Sequence, residues 1–261
     1  MRLTRRSFQA AALGLPLPAV MRGAPADQWV RVSTLAPSEA GPNLRRVGPM
    51  ATNLWIFSSL NVDEGPRGDV FYVTTFNSSD LGQVFRLDYR RGEAKAWTIP
   101  AGIGSWGIIQ GRDGCLYMGS YNEGKLMRFD PRKEVWIPTP QMSEEYRKKE
   151  SIICDLAQAP NNDIYYGTYP GCRLVRCDLD KGVLEDVGSP APEENYLRVV
   201  RITPGGVVLC GIATQRARTV AYFPRTRTFK TLTPEEFQKP GFSSPMVTPN
   251  YISEVLNGKI L

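Results

Sequence analysis

One phrase returns four times along the chain, and it restricts the possible folds more than any other feature. Residues 68–88 read GDVFYVTTFNSSDLGQVFRLD, 111–131 read GRDGCLYMGSYNEGKLMRFDP, 160–178 read PNNDIYYGTYPGCRLVRCD, and 203–224 read TPGGVVLCGIATQRARTVAYFP, a weaker copy. Each copy is a turn, an apolar strand, a short polar loop, a second apolar strand and another turn. Taking the tyrosine of the first strand as the marker, the copies fall at Tyr72, Tyr117, Tyr165 and, by position, Leu209, in steps of 45, 48 and 44 residues. Between them lie two further strand-like runs. An outer one is seen at residues 94–97, 135–137 and 228–232, and an inner one at 105–109, 151–156 and 197–202.

Four strands in about 45 residues make one blade of a β-propeller. A four-stranded antiparallel sheet of this length cannot bury both faces alone, and stacking the next sheet on it covers them. The turns fit as well: Asp113-Gly114, Asn161-Asn162-Asp163 and Gly205-Gly206 supply the left-handed backbone that tight hairpins need. A β-sandwich requires no fixed period, and a leucine-rich solenoid would show a shorter one. The expected class is therefore all-β, a propeller of four-stranded antiparallel blades with four clear repeats. It is either five-bladed, with residues 53–61 and 246–261 supplying a fifth blade, or a fragment of a larger propeller. The expected organisation is an export segment over 1–26, an irregular stretch over 27–50, and the propeller over 51–261 with its clear blades at about 68–232.

The export segment rests on several features that agree. Thr4-Arg5-Arg6-Ser7-Phe8-Gln9 resembles the twin-arginine export motif, a mildly apolar stretch runs from residue 10 to 20 with Pro16 and Pro18 inside it, and Ala24-Pro25-Ala26 offers a small-x-small cleavage site. The stretch is too short and interrupted to remain as a membrane span, and no other run is long enough, so no transmembrane anchor is expected. The implied location is the periplasm or beyond.

Charge and composition remove several function classes. The formal net charge is +6, but Arg2, Arg5, Arg6 and Arg22 of the export segment supply four of those charges. No concentrated basic face remains, so no nucleic-acid partner is expected. The sequence has no histidine. That removes the usual neutral-pH general base, the commonest transition-metal ligand and any Ser-His-Asp triad. None of the cysteines (Cys115, Cys154, Cys172, Cys177 and Cys210) forms a CxxC pair, so no zinc site is expected and buried thiols acting as small hydrophobes are the simplest reading.

The phrases running from Gly114 to Tyr121 with Arg128-Phe129-Asp130-Pro131, and from Asp163 to Tyr169 with Val175-Arg176-Cys177-Asp178, resemble the virginiamycin B lyase, NHL and gluconolactonase-like propeller superfamily. In that group "D-G-x-hydrophobic-Tyr-x-Gly" and "hydrophobic-x-Arg-hydrophobic-Asp-Pro" mark successive strands. The resemblance covers about residues 50–232 and implies the fold; its motif residues are framework positions. Lyases of the group rely on histidines, so their catalytic residues cannot be carried onto this chain. Such propellers usually have six or seven blades, against the four clear ones here, which leaves room for a second chain completing the ring.

Propellers bind ligands at the end of the central channel, on the loops between strands. The loops in question carry Phe76, Trp106, Tyr121, Tyr169 and Tyr196, interleaved with Asn122, Glu123, Arg173 and Arg198. Aromatic faces with planar polar groups suit sugars and small amphipathic ligands. The expected function is a non-catalytic exported propeller binding a glycan or protein ligand on this rim, with Trp106, Tyr121, Asn122, Glu123, Tyr169, Arg173, Tyr196 and Arg198 as ligand-binding residues. The alternative is a lyase on uronate-containing polysaccharide, with Tyr121 or Tyr169 as base and Arg173 or Arg198 neutralising the carboxylate; Glu123 and Glu150 would then be candidates for holding a hard cation. The residues name no cofactor. Tyr121 and Tyr169 could equally be repeat framework packed between blades.

Overall fold

The computed structural model describes residues 54–65, 69–77, 80–88, 90–212 and 214–235, together with the short paired strands β1 (Val30–Arg31), β18 (Val255–Leu256) and β19 (Lys259–Ile260). The export segment lies outside the described residues. Four antiparallel meanders follow one another. Blade 1 is β2 (Leu54–Asp63), β3 (Asp69–Asn77), β4 (Gln83–Asp88) and β5 (Glu93–Thr98). Blade 2 is β6 (Ser105–Gln110), β7 (Leu116–Ser120), β8 (Leu126–Asp130) and β9 (Val135–Ile137). Blade 3 is β10 (Ile152–Gln158), β11 (Ile164–Tyr169), β12 (Leu174–Asp178) and β13 (Val183–Gly188). Blade 4 is β14 (Leu197–Ile202), β15 (Val208–Ile212), β16 (Arg218–Phe223) and β17 (Thr228–Thr231). Strand β1 adds to the outer edge of blade 1, pairing with β5. One short helix, α1 (Glu144–Lys149), bridges blades 2 and 3, with Ser143 capping its N-terminus.

The first strand of each blade is the inner one, because β2 packs on β6, β6 on β10 and β10 on β14. Of the strand-like run expected at 53–61, the described part from Leu54 is therefore in the inner strand of blade 1 and belongs to no fifth blade. Residues 246–261, the other material considered for a fifth blade, lie outside the described residues apart from the β18–β19 hairpin.

Each blade buries both faces, which is why β7, β11 and β15 are continuous apolar runs. Tyr72, Val84 and Trp97 of blade 1 meet Leu116, Met118, Met127 and Phe129 of blade 2 in one core. Tyr117 of blade 2 meets Ile153, Tyr166 and Val175 of blade 3 in the next, and Tyr165 of blade 3 meets Leu197, Val208 and Tyr222 of blade 4 in a third. All five cysteines are buried and free.

The recurring motif residues now have physical roles. Tyr72 pairs across the hairpin with Arg86, Tyr117 with Arg128 and Tyr165 with Arg176. A carboxylate from the preceding turn binds the arginine of each pair, and in blades 1 and 2 the tyrosine as well. The Tyr72 hydroxyl donates to Glu64 at 3.0 Å and Arg86 binds Glu64 through two nitrogens at 3.0 and 2.6 Å. The Tyr117 hydroxyl donates to Asp113 at 2.9 Å and Arg128 to the same oxygen at 2.5 Å. In blade 3, Arg176 reaches Asp163 at 2.5 Å, and burial together with the Asp163 charge pushes the Tyr165 hydroxyl up to about 12. The fourth copy reads weaker because this lock is gone: its register pair is Leu209 with Ala221, within an apolar cluster that includes Val199.

The glycine of "Tyr-x-Gly" is a packing residue. A Cβ on Gly119 would lie 2.2 Å from Ile153 Cγ2, and one on Gly167 would lie 2.4 Å from the Leu197 carbonyl oxygen. The next blade's inner strand thus rests directly on bare backbone. In blade 1 the position is Thr74, which instead donates a hydrogen bond to the Ser105 carbonyl at 2.8 Å. A small residue faces a large one at two junctions, and two small polar residues meet at the other.

Candidate functional site

Every inner strand breaks register near its start. The shift falls between Ile56 and Ser58 in β2, Ser105 and Ile108 in β6, Ile153 and Asp155 in β10, and Leu197 and Val199 in β14. The bulged residues are Phe57, Trp106 with Gly107, Cys154 and Arg198. A β-bulge bends its strand and re-aims a side chain. In blades 1, 2 and 4 the bulge brings Phe57, Trp106 and Arg198 into one cluster, while Cys154 of blade 3 is buried.

The contacts bear this out. The Arg198 guanidinium lies 4.6 Å from the Trp106 ring centroid and 5.3 Å from that of Tyr196. Arg198 belongs to blade 4 and Trp106 to blade 2, so the contact skips blade 3 and spans the axis. Trp106 also meets Phe57 at 5.7 Å, Tyr121 at 5.1 Å and Tyr196 at 6.0 Å. Phe76 meets Phe57 at 5.2 Å and Tyr121 at 5.3 Å, and Tyr169 stacks on Tyr196 at 4.1 Å. Six rings and one guanidinium form a single cluster at one end of the axis. All are half-buried, so the cluster keeps an accessible side. Burial and the neighbouring Tyr169 push the Tyr196 hydroxyl up to about 12.

Of the residues expected to bind ligand, Trp106, Tyr121, Tyr169, Tyr196 and Arg198 come together in this cluster. The other three do not join it through any ring or ion contact. Arg173 is ion-paired with Asp186 of the outer strand β13 at 2.6 Å. Glu123 pairs with Lys125 at 2.7 Å and accepts the Gly102 N–H at 2.8 Å, and its Lys125 partner holds its carboxyl below the ordinary value. Asn122 occupies a left-handed turn with φ 81° and is exposed. Glu150, considered for a cation, is buried and accepts from the Thr168 hydroxyl at 2.6 Å and the Gly171 N–H at 3.0 Å. Blade 4 repeats that device: Glu194 accepts the N–H groups of Thr214, Gln215 and Arg216 at 3.0, 2.7 and 2.6 Å. These glutamates hold the rim loops in place. Among the described residues no group of three or more Cys, Asp or Glu side chains is placed to hold a metal ion.

Phe57 was missed by the sequence reading. It lies in a run of mixed character, and only the recurrence of the bulge reveals its place beside Trp106.

With the geometry in place, the chain can be set beside known proteins. It is similar to a catalytically inactive His-to-Ala variant of virginiamycin B lyase from Staphylococcus aureus with Quinupristin, at 13% identity and a TM-score of 0.55, over 72% of this chain and 58% of that one. It is also similar to a streptogramin B lyase structure, at 12% identity and a TM-score of 0.53, over 70% of this chain and 59% of that one. The shared feature is the propeller fold. The chain spans less than two thirds of the length of either structure. No family model and no curated protein matches the sequence. Among the described residues no helix is long and apolar enough to cross a membrane.

Proposed function

We propose that this chain is an exported, non-catalytic propeller that binds a glycan on its axial rim. The observation that carries the reading is the half-buried ring cluster of Phe57, Phe76, Trp106, Tyr121, Tyr169 and Tyr196 at one end of the axis. Aromatic faces gain most when an apolar sugar face covers them, and the indole N–H and phenol hydroxyls remain to bond its hydroxyls. The absence of catalysis is supported by chemistry: the similar lyase variant is made inactive by replacing a histidine, and this sequence has none.

Titration of the purified chain with a panel of soluble oligosaccharides, followed by tryptophan fluorescence, tests the proposal. Saturable binding without product formation is the expected result. Binding only to polypeptides, or turnover of any saccharide, would overturn it. Export rests on the Arg5–Arg6 pair and the segment after it. An Arg5→Lys, Arg6→Lys double substitution keeps the charge and removes the guanidinium pair, so the protein is expected to stay in the cytosol on cell fractionation. Unaltered export would rule out the twin-arginine route.

A further inference from the structure

Among the arginines on the strands of the four blades, one is held differently from the rest. Arg86, Arg128, Arg176, Arg201 and Arg218 are each bound to a carboxylate: Glu64, Asp113, Asp163, Asp155 and Glu193 respectively. Arg198 has no carboxylate within ion-pair distance among the described residues. Its contacts are the faces of Trp106 and Tyr196. The acids nearby are committed elsewhere: Asp155 accepts from Arg201 at 2.5 Å and the Val200 N–H at 3.1 Å, and Glu150 accepts from Thr168 and Gly171. The other titratable neighbours are the Tyr196 phenol and the buried Cys154 thiol; burial raises the pKa of both, so neither contributes a counter-charge at neutral pH.

A guanidinium lying over aromatic rings keeps the N–H donors at its edge available, and these suit a two-point bond to a planar carboxylate. The stacking also fixes the side chain, so little rotamer entropy is left to lose when an anion arrives. The bulge in β14 puts this fork beside the rings that would receive a sugar.

We propose that Arg198 makes the rim selective for carboxylate-bearing saccharides, with a uronate residue stacking on the aromatic cluster while its carboxylate meets the guanidinium. This rests on the rim being the glycan site. The specificity lies in Arg198 alone, since Arg173 and the rim glutamates are already engaged.

The test compares four probes by calorimetry on the full chain: an oligogalacturonate, its fully methyl-esterified form, a neutral galactose oligomer of equal length, and a polyglutamate peptide. The wild-type chain is expected to bind the oligogalacturonate at least about tenfold more tightly than the ester or the neutral oligomer, the factor that one charge-assisted hydrogen-bonded contact provides. Arg198→Met should remove that preference while keeping residual binding to the neutral oligomer, and Arg198→Lys should fall between. Raising salt should weaken the acidic probe alone. Equal wild-type affinity for acidic and neutral saccharides would overturn this proposal and leave the glycan reading standing. So would an Arg198→Met variant that loses both in equal measure, because Arg198 would then merely support the rings. Binding of polyglutamate in preference to every saccharide would overturn both this proposal and the glycan reading beneath it.

Discussion

Gly119→Ala is expected to lower the unfolding free energy by about 3 kcal/mol or more, the upper end for overpacking a filled core. The added Cβ would lie 2.2 Å from Ile153 Cγ2 and 2.3 Å from Ile153 Cβ. A rotamer change can move Cγ2 but not Cβ, so β7 and β10 would have to separate and open the core between blades 2 and 3. Removing the partner is costly for the opposite reason. Ile153 is 1% exposed, and Ile153→Ala is expected to cost about 2–5 kcal/mol through lost transfer energy and a residual cavity. Gly205→Ala is the control, because the nearest atom to its added Cβ is a side-chain oxygen at 3.9 Å and its φ is not in the left-handed region. That change should be close to neutral. Denaturant titrations of the three variants check the order. A Gly119→Ala chain as stable as Gly205→Ala would mean the blades do not pack as closely as described here.

The sequence made the blades legible because a fixed period, paired with turn residues, leaves few architectures open. The hairpins around Tyr72, Tyr117 and Tyr165 were visible as motif, and the structure explains the motif as an acid–tyrosine–arginine lock. The inner strand of blade 1 was the hard one to place. Leu54–Asp63 precedes the first recognisable copy, so without the repeat to align it the run could be assigned to another blade. The rim was partly legible for a related reason. Tyr121, just after β7, and Tyr169, at the end of β11, hold equivalent repeat positions, and Trp106 lies near the start of β6, so period alone brings them near one another. Phe57 and the bulge in each inner strand were not visible, since a bulge depends on one unpaired residue in a ladder and leaves no composition signal. The ion pairs of Arg173 and Glu123 were not visible either, because sequence shows a charge beside a loop but not its partner. Asp186 and Lys125 take them, and the former lies on an outer strand thirteen residues away.

Trp106→Ala is expected to abolish most ligand binding, by about 100-fold or more, while costing less stability than Ile153→Ala. The tryptophan is half-buried, so part of its surface already faces water and less transfer energy is lost on truncation. Its role in the rim is larger than its burial. It touches Phe57, Tyr121, Tyr196 and Arg198, the largest set of ring and cation contacts in the cluster, and it links blade 1 to blade 4 across the axis. Central aromatic anchors of this kind carry most of a binding energy, and their neighbours exclude water around them. Truncation would also release the Arg198 guanidinium from its stack, so the anionic contact would lose its preorganisation along with the aromatic surface. Tyr169→Ala should do less, because Tyr169 reaches the cluster only through Tyr196. Calorimetric titration of both variants beside a denaturant titration separates the two roles. If Trp106→Ala destabilised the chain as much as Ile153→Ala and bound as before, the cluster would be a core that closes the channel mouth, and the rim would have to be sought elsewhere on the propeller.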